Sequence, residues 1–351
     1  MPFDPHLPVA AEARNRHLVA GWLFAMCGMI LVMVALGGAT RLTGSGLSIM
    51  EWAPLRGTLP PLSDAEWNRL YEMYRKIPQY ELVNKGFGLA GFKEIFWLEW
   101  LHRLWGRLIG LAFVVPMAIL WWRGAVPRAL LPRLLGLFAL GGLQGAVGWF
   151  MVASGFMAEA TAVSPYRLVV HLGLALVLYA VVLWTALGLL ERAPVAGPRH
   201  LVRATAVAVA LAILAGGFVA GLKAGLDYNT FPLMAGSLVP EGYAQLAPWP
   251  RNLVENIAAV QFNHRLLATL TLVLAGASLV AGWRSAARPA LLALAATVGV
   301  QYALGIATLV HVVPVGLGTA HQTMAVLVLT ASLVALHRSR ASQTVQCETI
   351  P

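Results

Sequence analysis

Residues 168–190 read LVVHLGLALVLYAVVLWTALGLL, an unbroken stretch without Asp, Glu, Lys or Arg. At the ~1.5 Å rise per residue of an α-helix, such a stretch crosses the roughly 30 Å hydrocarbon core of a bilayer. It carries His171 close to its start. The stretch therefore predicts a membrane-spanning helix with an ionisable side chain inside the bilayer, where such residues usually have a function.

Seven more apolar runs occur along the chain, at 18–36, 108–122, 134–152, 204–219, 266–283, 290–310 and 319–336. The shortest, at 108–122, becomes long enough to span if its helix starts near Leu98. The whole sequence is 59% hydrophobic and 11% charged, whereas soluble domains keep roughly 25% charged residues. We therefore predict an all-α integral membrane protein with eight transmembrane helices.

The basic residues predict the orientation of these spans. The net charge is +10, but the arginines do not cluster as in a nucleic-acid patch, and we expect no nucleic-acid partner. They precede the first span, occupy every second connection and follow the last span: Arg14, Arg16, Arg123, Arg128, Arg133, Arg192, Arg199, Arg203, Arg284, Arg288, Arg338 and Arg340. This positive-inside pattern predicts a multi-pass protein of the cell inner (plasma) membrane, surrounded by lipid, with both termini in the cytoplasm.

The spans divide the chain into two halves of four helices. The expected parts are an N-terminal tail (1–17), a first half (18–190) with a long outer loop (39–97), a linker (191–203), a second half (204–337) and a C-terminal tail (338–351). The two cysteines are Cys27, inside the first span, and Cys347, in the C-terminal tail. They are too far apart in the predicted topology to pair, so we expect no structural disulfide.

The two halves repeat one pattern of residues. The matched positions are Gly37-Gly38 with Gly216-Gly217, Gly46 with Gly225, Gly57 with Gly236, His102-Arg103 with His264-Arg265, Gln144 with Gln301, Gly148 with Gly305, and His171 with His321. Four crossings return the chain to its starting side, so we expect two four-helix bundles related by a pseudo-twofold axis along the membrane normal. Glycine pairs are typical of close helix packing. The two glutamines indicate either hydrogen bonds between helices or contacts to a bound group.

Each half carries two histidines at similar predicted depth, near the outer face of the membrane. They are His102 with His171, and His264 with His321. Zinc usually takes three or four protein ligands, whereas two histidines inside a four-helix bundle suit a haem iron ligated on both faces. We therefore predict one haem site in each half.

Four arginines lie at the predicted outer rim of these sites: Arg103, Arg107, Arg167 and Arg265. Haem propionates need cationic partners, so these residues are candidate propionate contacts. Their alternative role is to extend along the apolar surface and place the charge at the membrane interface.

Glu99 distinguishes the first half from the second. When His102 is aligned with His264, Glu99 lies opposite Gln261. Only Glu99 places a carboxylate one helical turn before its histidine, on the same face. We interpret it as a proton-handling or charge-stabilising group beside a reacting haem; the alternative is an interfacial carboxylate paired with Arg103. Replacing Glu99 by glutamine is then expected to make the first half mimic the second.

Four motifs resemble the haem A synthase family over roughly residues 18–336. They are GGATRLTGSGLS at 37–48, FKEIFWLEWLHRLWGR at 92–107, Asn263-His264-Arg265 and Ala320-His321-Gln322. The resemblance implies an eight-helix protein that oxidises the C8 methyl of haem O to a formyl group, giving haem A for terminal oxidases. Some bacterial members have a cysteine pair in the first outer loop, whereas residues 39–97 have no cysteine here. The chain thus looks closer to the mitochondrial and proteobacterial branch.

The resemblance also implies roles for single residues. His102 and His171 would ligate the substrate, haem O, with Glu99 as the essential carboxylate. His264 and His321 would ligate a permanent haem b. An electron donor, whose identity the sequence leaves open, would be required. Haem O synthase and the assembly of a terminal oxidase are expected functional partners, and self-association is left open.

Two other functions use the same histidines. One is a non-catalytic di-haem b-type protein that passes electrons to or from quinone, for which the Glu99–Gln261 difference has no purpose. The other is a transporter built on parallel repeats, with the histidines as proton relays. An iron that is ligated by two histidines has no position left for oxygen. If the first half is catalytic, one of His102 and His171 must therefore leave the iron during turnover. The sequence does not indicate which.

Overall fold

The structure is a computed structural model that describes residues 9–190 and 193–339. Its α-helices are α1 (Val9–Leu42), α2 (Asp64–Tyr74), α3 (Pro78–Leu82), α4 (Gly88–Trp122), α5 (Leu131–Ala153), α6 (Pro165–Leu189), α7 (Arg199–Gly221), α8 (Asn252–Glu255), α9 (Ile257–Ala281), α10 (Arg288–Val310) and α11 (Val315–Arg338). All but α2, α3 and α8 are long and apolar enough to cross a membrane, which makes eight in these residues. The prediction of an all-helical membrane protein with eight spans is confirmed.

The second span, α4, is much longer than its apolar run. It begins at Gly88 rather than near Leu98 and has 35 residues. Its first turns are stabilised outside the apolar run, because Phe92 and Phe96 are buried against Trp67 of α2. His102 consequently lies about four turns inside its helix, and not in the first turns as the sequence suggested.

Residues 43–96, which include the first turns of α4, form a folded cap instead of an open loop. Its core contains Leu47, Trp67, Leu70, Tyr74, Ile77, Tyr80, Phe92, Ile95 and Phe96. Ser63 caps α2 by accepting a hydrogen bond from the Glu66 backbone N–H at 3.3 Å. The rings of Trp67 and Phe96 meet edge to face, with their centres 4.8 Å apart, and such contacts stabilise a small core beyond the area that they bury.

The helix ends differ from the predicted boundaries of the halves. Helix α1 begins at Val9, within the predicted N-terminal tail, and α7 begins at Arg199, within the predicted linker. The backbone N–H of Val195 in the linker donates to the Arg338 carbonyl at 2.8 Å, so the linker is attached to the end of α11. Cys347 lies outside the described residues. The division into two halves stays a prediction.

The same helix pairs pack together in both halves. Helices α1, α4, α5 and α6 make the contacts α1–α4, α4–α5, α5–α6 and α1–α6, and α7, α9, α10 and α11 make the corresponding four. Between the halves, α1 contacts α11, α7 contacts α6, and α6 contacts α11. A twofold relation exchanges the first two of these contacts and maps the third onto itself. Two bundles about such an axis remain our interpretation of this reciprocal pattern.

The main apolar core lies to one side of the histidines. In the helices that carry them it includes Phe113 in α4, Leu176 in α6, Ala275 in α9 and Val326 in α11, each following the histidine of its helix. In α1 it includes residues 19–30, before Gly37. We call the opposite ends of the spanning helices the histidine end. The core therefore fills one side of the membrane region, and the candidate site occupies the other.

Candidate functional site

Each of the four histidines packs against a glycine of a neighbouring helix. A Cβ atom placed on the glycine would come close to the imidazole ring. The nearest ring atom would lie at 3.2 Å for Gly37–His102, 2.8 Å for Gly148–His171, 3.0 Å for Gly216–His264 and 2.9 Å for Gly305–His321. A side chain on any of these glycines would push on the ring, since carbon atoms in contact prefer about 3.5–4.0 Å. The matched glycines of the repeat thus make room for a histidine in both halves.

The two histidines of the second half face each other. The ring centres of His264 and His321 are 6.4 Å apart, with ring planes at 87°. Two metal–nitrogen bonds of roughly 2 Å, plus about 1.1 Å from each nitrogen to its ring centre, add up to about 6.2 Å. The separation of the ring centres is therefore compatible with two imidazoles that share one iron.

A backbone carbonyl orients one ring of this pair. His264 Nδ1 lies 3.0 Å from the Ala212 carbonyl oxygen on α7. Because a carbonyl only accepts, Nδ1 carries the proton, and Nε2 is left as the nitrogen that can bind a metal. Ligating histidines usually have such a partner on their second nitrogen. His321 Nδ1 is buried without a partner.

In the first half, His102 and His171 lie within electrostatic range of each other. His171 Nδ1 is buried without a partner, like the Nδ1 of its counterpart His321. Within the part of the chain that the structure describes, no group of three or more His, Cys, Asp or Glu side chains could hold a metal ion. The histidines thus offer a pair of ligands in each half, and a porphyrin would have to supply the others.

The matched glutamines bind the helices that carry His171 and His321. Gln144 Nε2 on α5 donates to the His171 carbonyl at 3.0 Å, and Gln301 Nε2 on α10 donates to the His321 carbonyl at 3.1 Å. Gln144 Nε2 is also 3.4 Å from His171 Nε2, which is long for a hydrogen bond. Of the two roles left open by the sequence, the hydrogen bond between helices is confirmed.

The second glycine of each pair faces the other half. A Cβ on Gly38 would lie 2.9 Å from Gln322 Oε1 of α11, and a Cβ on Gly217 would lie 3.0 Å from Val169 of α6. Gln322 Nε2 donates to the Val34 carbonyl of α1 at 3.0 Å. The expected close packing at the glycine pairs is confirmed, and each pair serves both a histidine and the contact between halves.

Glu99 is buried, with 2% of its surface exposed, and receives four hydrogen bonds. Oε2 accepts from Ser48 Oγ at 2.7 Å and from the Ile49 N–H at 2.9 Å. Oε1 accepts from Arg103 Nε at 3.1 Å and Nη2 at 2.6 Å. Arg103 also donates to the Ile49 carbonyl at 2.6 Å and the Glu51 carbonyl at 2.9 Å. We call Glu99, Arg103 and residues 48–51 the first clasp, because they attach the chain after α1 to α4.

The second half contains a matching clasp, formed by Gln261, Arg265 and residues 224–230. Arg265 donates to the Tyr228 carbonyl at 2.6 Å and the Thr230 carbonyl at 2.9 Å, and these positions are separated as Ile49 and Glu51 are. Gln261 accepts from Arg265 at 2.9 Å. Its amide nitrogen, however, donates to the carbonyls of Ala224 at 2.7 Å and Asp227 at 2.6 Å. The carboxylate of the first clasp only accepts from its loop, whereas the amide of the second donates to its loop.

All four candidate propionate arginines contact backbone carbonyls. Arg107 donates to Pro54 at 2.8 Å and Ala53 at 2.9 Å, and Arg167 donates to Phe150 at 2.8 Å. Some buried N–H groups at the histidine end have no partner: Arg41 Nε, Trp100 Nε1, Arg107 Nη1 and Arg265 Nε. Buried unpaired donors are costly, and an anionic group such as a carboxylate would satisfy them. The residues present therefore fit a ligand with acidic side groups.

The cap and the first clasp share Glu51. Its carboxylate pairs with Arg69 of α2 at 2.9 Å, while its carbonyl accepts from Arg103. The hydrogen bond from Arg69 lowers the pKa of Glu51, and burial opposes this shift only in part. Arg103 also lies over the ring of Trp149, which stacks on Trp52 of the cap at 6.3 Å. The cap is thus connected to the region beside His102 through charges and aromatic rings.

Sequence reasoning missed the partners that are backbone atoms. The carbonyls of Ala212, Ile49 and Tyr228 leave no mark in a sequence, because every residue has a carbonyl. Ser48 and Gln322 stand inside the motifs quoted above, but their partners are far away along the chain. One signal in the sequence could have indicated these carbonyl partners. The repeat keeps the same spacing after both glycine pairs, and this spacing aligns residues 49 and 51 with 228 and 230.

A helical membrane protein with one histidine pair in each of two repeated halves is the class that this fold and site define. The family model described as cytochrome oxidase assembly protein matches residues 20–333. A haem A synthase of Granulibacter bethesdensis is 61% identical over 341 residues, covering 95% of this chain and 90% of the relative. A haem A synthase of Bradyrhizobium diazoefficiens is 46% identical over 353 residues, covering 98% of each chain. One of Rhodospirillum centenum is 50% identical over 337 residues, covering 93% of this chain and 89% of the relative.

The chain therefore belongs to the haem A synthase family of cytochrome oxidase assembly proteins. The family resemblance seen in the motifs is confirmed over nearly the whole chain. The family makes the protein an oxidoreductase of haem A biosynthesis.

Proposed function

We propose that this protein performs the haem A synthase reaction in its first half and holds a permanent haem b in its second half. The reaction converts the C8 methyl of haem O to a formyl group by two successive oxidations, through an alcohol and a hydrated aldehyde. The observation that carries the activity is the 61% identity to a haem A synthase over 95% of the chain. The geometry of the histidines and the two clasps support the different roles that are proposed for the two halves.

The second half is proposed as the haem b site, with His264 and His321 as ligands. Their 6.4 Å separation suits a shared iron, and the Ala212 carbonyl holds His264 with Nε2 free. A ring fixed in this way loses little entropy on binding and is suited to a cofactor that stays. This half carries no carboxylate where the first half has Glu99.

The first half is proposed as the substrate site, with His102 and His171 as ligands of haem O. The glycine behind His171 and the glutamine on its carbonyl match those of His321 closely. When bound, the iron of the haem supplies the oxidising chemistry that an unactivated C–H bond requires. The residues of the chain position the macrocycle, exclude water and hold charge beside it.

Glu99 is proposed as the charge-stabilising group of this site. An ionised carboxylate has about four acceptor positions, and Ser48, Ile49 and Arg103 fill four of them. Glu99 and Arg103 lie on either side of His102 along α4. The geometry therefore favours a Glu99 that holds Arg103 and the loop in place over a Glu99 that carries protons to the substrate. In this role Glu99 is a positioning residue.

The arginines are proposed to contact propionates with the donors that remain after their carbonyl contacts. Arg107 and Arg265 each keep a buried N–H without a partner, so they are better placed than Arg167, which lies over the ring of Phe150 at 3.8 Å. Arg103 keeps fewer open donors because it already binds Glu99 and two carbonyls.

The family and the charge pattern of the connections support a location, an orientation and functional partners for the protein. The protein is a multi-pass membrane protein. We propose that it lies in the cell inner (plasma) membrane with cytoplasmic termini and with the histidine end towards the outer face. Haem O synthase would supply its substrate, terminal oxidase assembly would use its product, and an electron donor would complete the turnover.

Haem analysis of a complemented strain tests this function. The chain is expressed in cells that make haem O but lack their own enzyme, and the extracted haems are separated. Appearance of haem A, absent from cells expressing a His171→Ala variant at equal protein level, is the expected result. Haem O alone, with normal protein and normal haem b, would overturn the proposal and favour a protein that only transfers electrons.

A further inference from the structure

We propose that the isoprenoid tail of haem O lies between α4 and α5, and that this place selects the substrate haem for the first half. The inference rests on the proposed function, in which the first half binds haem O and the second half binds haem b. The two haems differ at one substituent, because haem O carries a long isoprenoid chain where haem b carries a vinyl group. A site for haem O must therefore accommodate an apolar chain that a site for haem b does not receive.

Two contacts between α4 and α5 limit the region concerned. Towards the histidine end, Arg103 of α4 lies over the ring of Trp149 of α5 at 5.5 Å. Towards the main apolar core, Phe113 of α4 stacks with Phe138 of α5, with ring centres 6.1 Å apart. At the helical rise, these contacts lie roughly 15 Å apart along each helix. We call the part of the α4–α5 boundary between them the window.

The window is lined by glycines that leave space between the two helices. They are Gly110, Gly141 and Gly145. Gly145 lies one helical turn before Trp149 and Gly110 lies three residues before Phe113, so these glycines are on the facing sides of their helices. Among the described residues, a Cβ atom on any of the three would meet no side chain and no neighbouring helix within 4 Å.

The second half has large side chains at the corresponding positions. The repeat aligns Gly110 with Leu272, Gly141 with Val298 and Gly145 with Tyr302. The hydroxyl groups of Tyr302 on α10 and Thr269 on α9 are 3.0 Å apart and share a hydrogen bond, and Phe231 meets the ring of Tyr302 edge to face at 6.1 Å. Val298 is buried in the main core, and Leu272 packs against this core. The boundary between α9 and α10 is therefore closed.

The residues that match Thr269 and Phe231 do not close the window. Arg107 stands at the position of Thr269, but its Nη2 and Nε donate to the carbonyls of Ala53 and Pro54, and its Nη1 has no partner. None of its hydrogen bonds therefore reaches α5. Trp52 stands at the position of Phe231, but it stacks on Trp149, one turn away from Gly145.

The window opens onto the proposed substrate site, which is an observation independent of the glycines. Gln144, next to Gly145, donates to the His171 carbonyl at 3.0 Å, and the Cβ position of Gly148 lies 2.8 Å from the His171 ring. On its other side the window is flanked by Phe138, which is 42% exposed and would contact lipid in a membrane. Because lipid chains are as apolar as leucine, an isoprenoid chain could pass from the site into the bilayer without burying a polar group.

Gly145→Tyr tests the inference, because it gives the window the side chain that closes the second half. Wild type and variant are purified from cells that make haem O, and their haems are extracted and separated. We expect the variant to contain at least about tenfold less haem O, since even one added methylene commonly costs roughly tenfold in a closed apolar pocket. Its haem b content should be unchanged, which controls for folding.

Iron protoporphyrin IX is the matched ligand, because it lacks the tail. Wild type and Gly145→Tyr are purified from cells that make no haem O and are titrated with it. Both should reach the same total content of bound haem. A Gly145→Tyr protein whose first half binds neither haem would overturn the inference, because the tyrosine would then exclude the macrocycle and not the tail.

Leu143→Tyr is the control variant. Leu143 lies on another face of α5 and is 51% exposed, so tyrosine there should leave the haem O content within about twofold of wild type. Haem O at the wild-type level in Gly145→Tyr, or equal losses from both tyrosine variants, would overturn the inference and leave the proposed function intact. Wild-type protein that takes up no haem O would contradict the proposed function, and the inference with it.

Tyr302→Gly gives the reciprocal measurement. It is made in a His171→Ala background, in which the first half lacks one of its proposed ligands. We expect the double variant to contain at least about tenfold more haem O than His171→Ala alone, because its second half would then accept the tail. An unchanged haem O content, with haem b still bound, would show that Tyr302 does not exclude the tail and would contradict the inference.

Discussion

Glu99→Gln tests whether this carboxylate acts by holding the first clasp. The glutamine keeps the size of the side chain but replaces one oxygen with a donor. If the amide nitrogen takes the place of Oε2, it faces the Ile49 N–H, which loses its acceptor. If it takes the place of Oε1, it faces two donors of Arg103. Neither orientation restores all four hydrogen bonds.

The cost follows from burial and charge. In a buried ion pair, removal of one partner costs roughly 3–5 kcal/mol, because the remaining charge is uncompensated. The Arg103 side chain is 17% exposed and keeps its bonds to the carbonyls of Ile49 and Glu51, so the lower end applies. A loss of about 3 kcal/mol corresponds to a roughly 100-fold lower population of the closed clasp.

Hydrogen exchange reports the state of the clasp directly. The Ile49 amide donates to Glu99, so its protection should fall by roughly 100-fold in Glu99→Gln, together with a loss of haem A. Ser48→Ala is the matched control, because it removes one of the four donors to Glu99. Its expected cost of about 1 kcal/mol corresponds to about fivefold lower protection. Unchanged exchange at Ile49 in Glu99→Gln, with haem A lost, would refute the positioning role and favour direct participation in chemistry.

Three further outcomes follow from the structure. The double variant Cys27→Ser, Cys347→Ser should keep near wild-type haem A formation, because Cys27 lies in the core away from the histidines; loss of haem A with normal expression would show that a thiol takes part. Gln322→Leu should remove the hydrogen bond from α11 to α1 and lower the thermal midpoint by a few degrees, for a cost of about 1 kcal/mol; an unchanged midpoint would show that this bond contributes nothing. Arg69 lowers the pKa of Glu51, so the pair stabilises the cap at pH values above the ordinary pKa of about 4, and this stabilisation is lost as the pH falls through the lowered pKa. The protease sensitivity of the cap should therefore be constant near neutral pH and rise in acid. An equal rise in Arg69→Gln would exclude the pair as the cause.

The spans and the repeat could be predicted because they depend on composition and spacing alone. A run such as residues 168–190 crosses a bilayer wherever it is placed, and the offset between Gly37 and Gly216 is visible without coordinates. The glycines behind the histidines fit the same reasoning: Gly148 and Gly305 were matched in the sequence, and each lies against its histidine. Their contact with the ring, however, required the helix packing.

The start of α4 could not be predicted, because it depends on tertiary contacts. Lys93 and Glu94 make residues 88–97 look like a polar approach to a span. Phe92 and Phe96 bury the same segment against α2, which continues the helix well beyond the apolar run. Tertiary packing here outweighs the local pattern.

The direction of the hydrogen bonds in the clasps was also hidden. The sequence places Glu99 and Gln261 at one position of the repeat and suggests that one can replace the other. The structure gives the two side chains opposite hydrogen bonds to their loops, because Glu99 accepts from the chain after α1 whereas the amide nitrogen of Gln261 donates to the chain after α7. The loop backbone determines which atom is required, and its conformation was not predictable from the motif.

The haem content of four single His→Ala variants tests whether each histidine pair holds its own haem. Each purified protein is assayed for haem b and haem O by extraction and chromatography. We expect His264→Ala and His321→Ala to lose haem b, and His102→Ala and His171→Ala to keep haem b and to form no haem A. Loss of haem b from His102→Ala or His171→Ala at normal protein level, or its full retention in His264→Ala and His321→Ala, would contradict the assignment of one haem to each half.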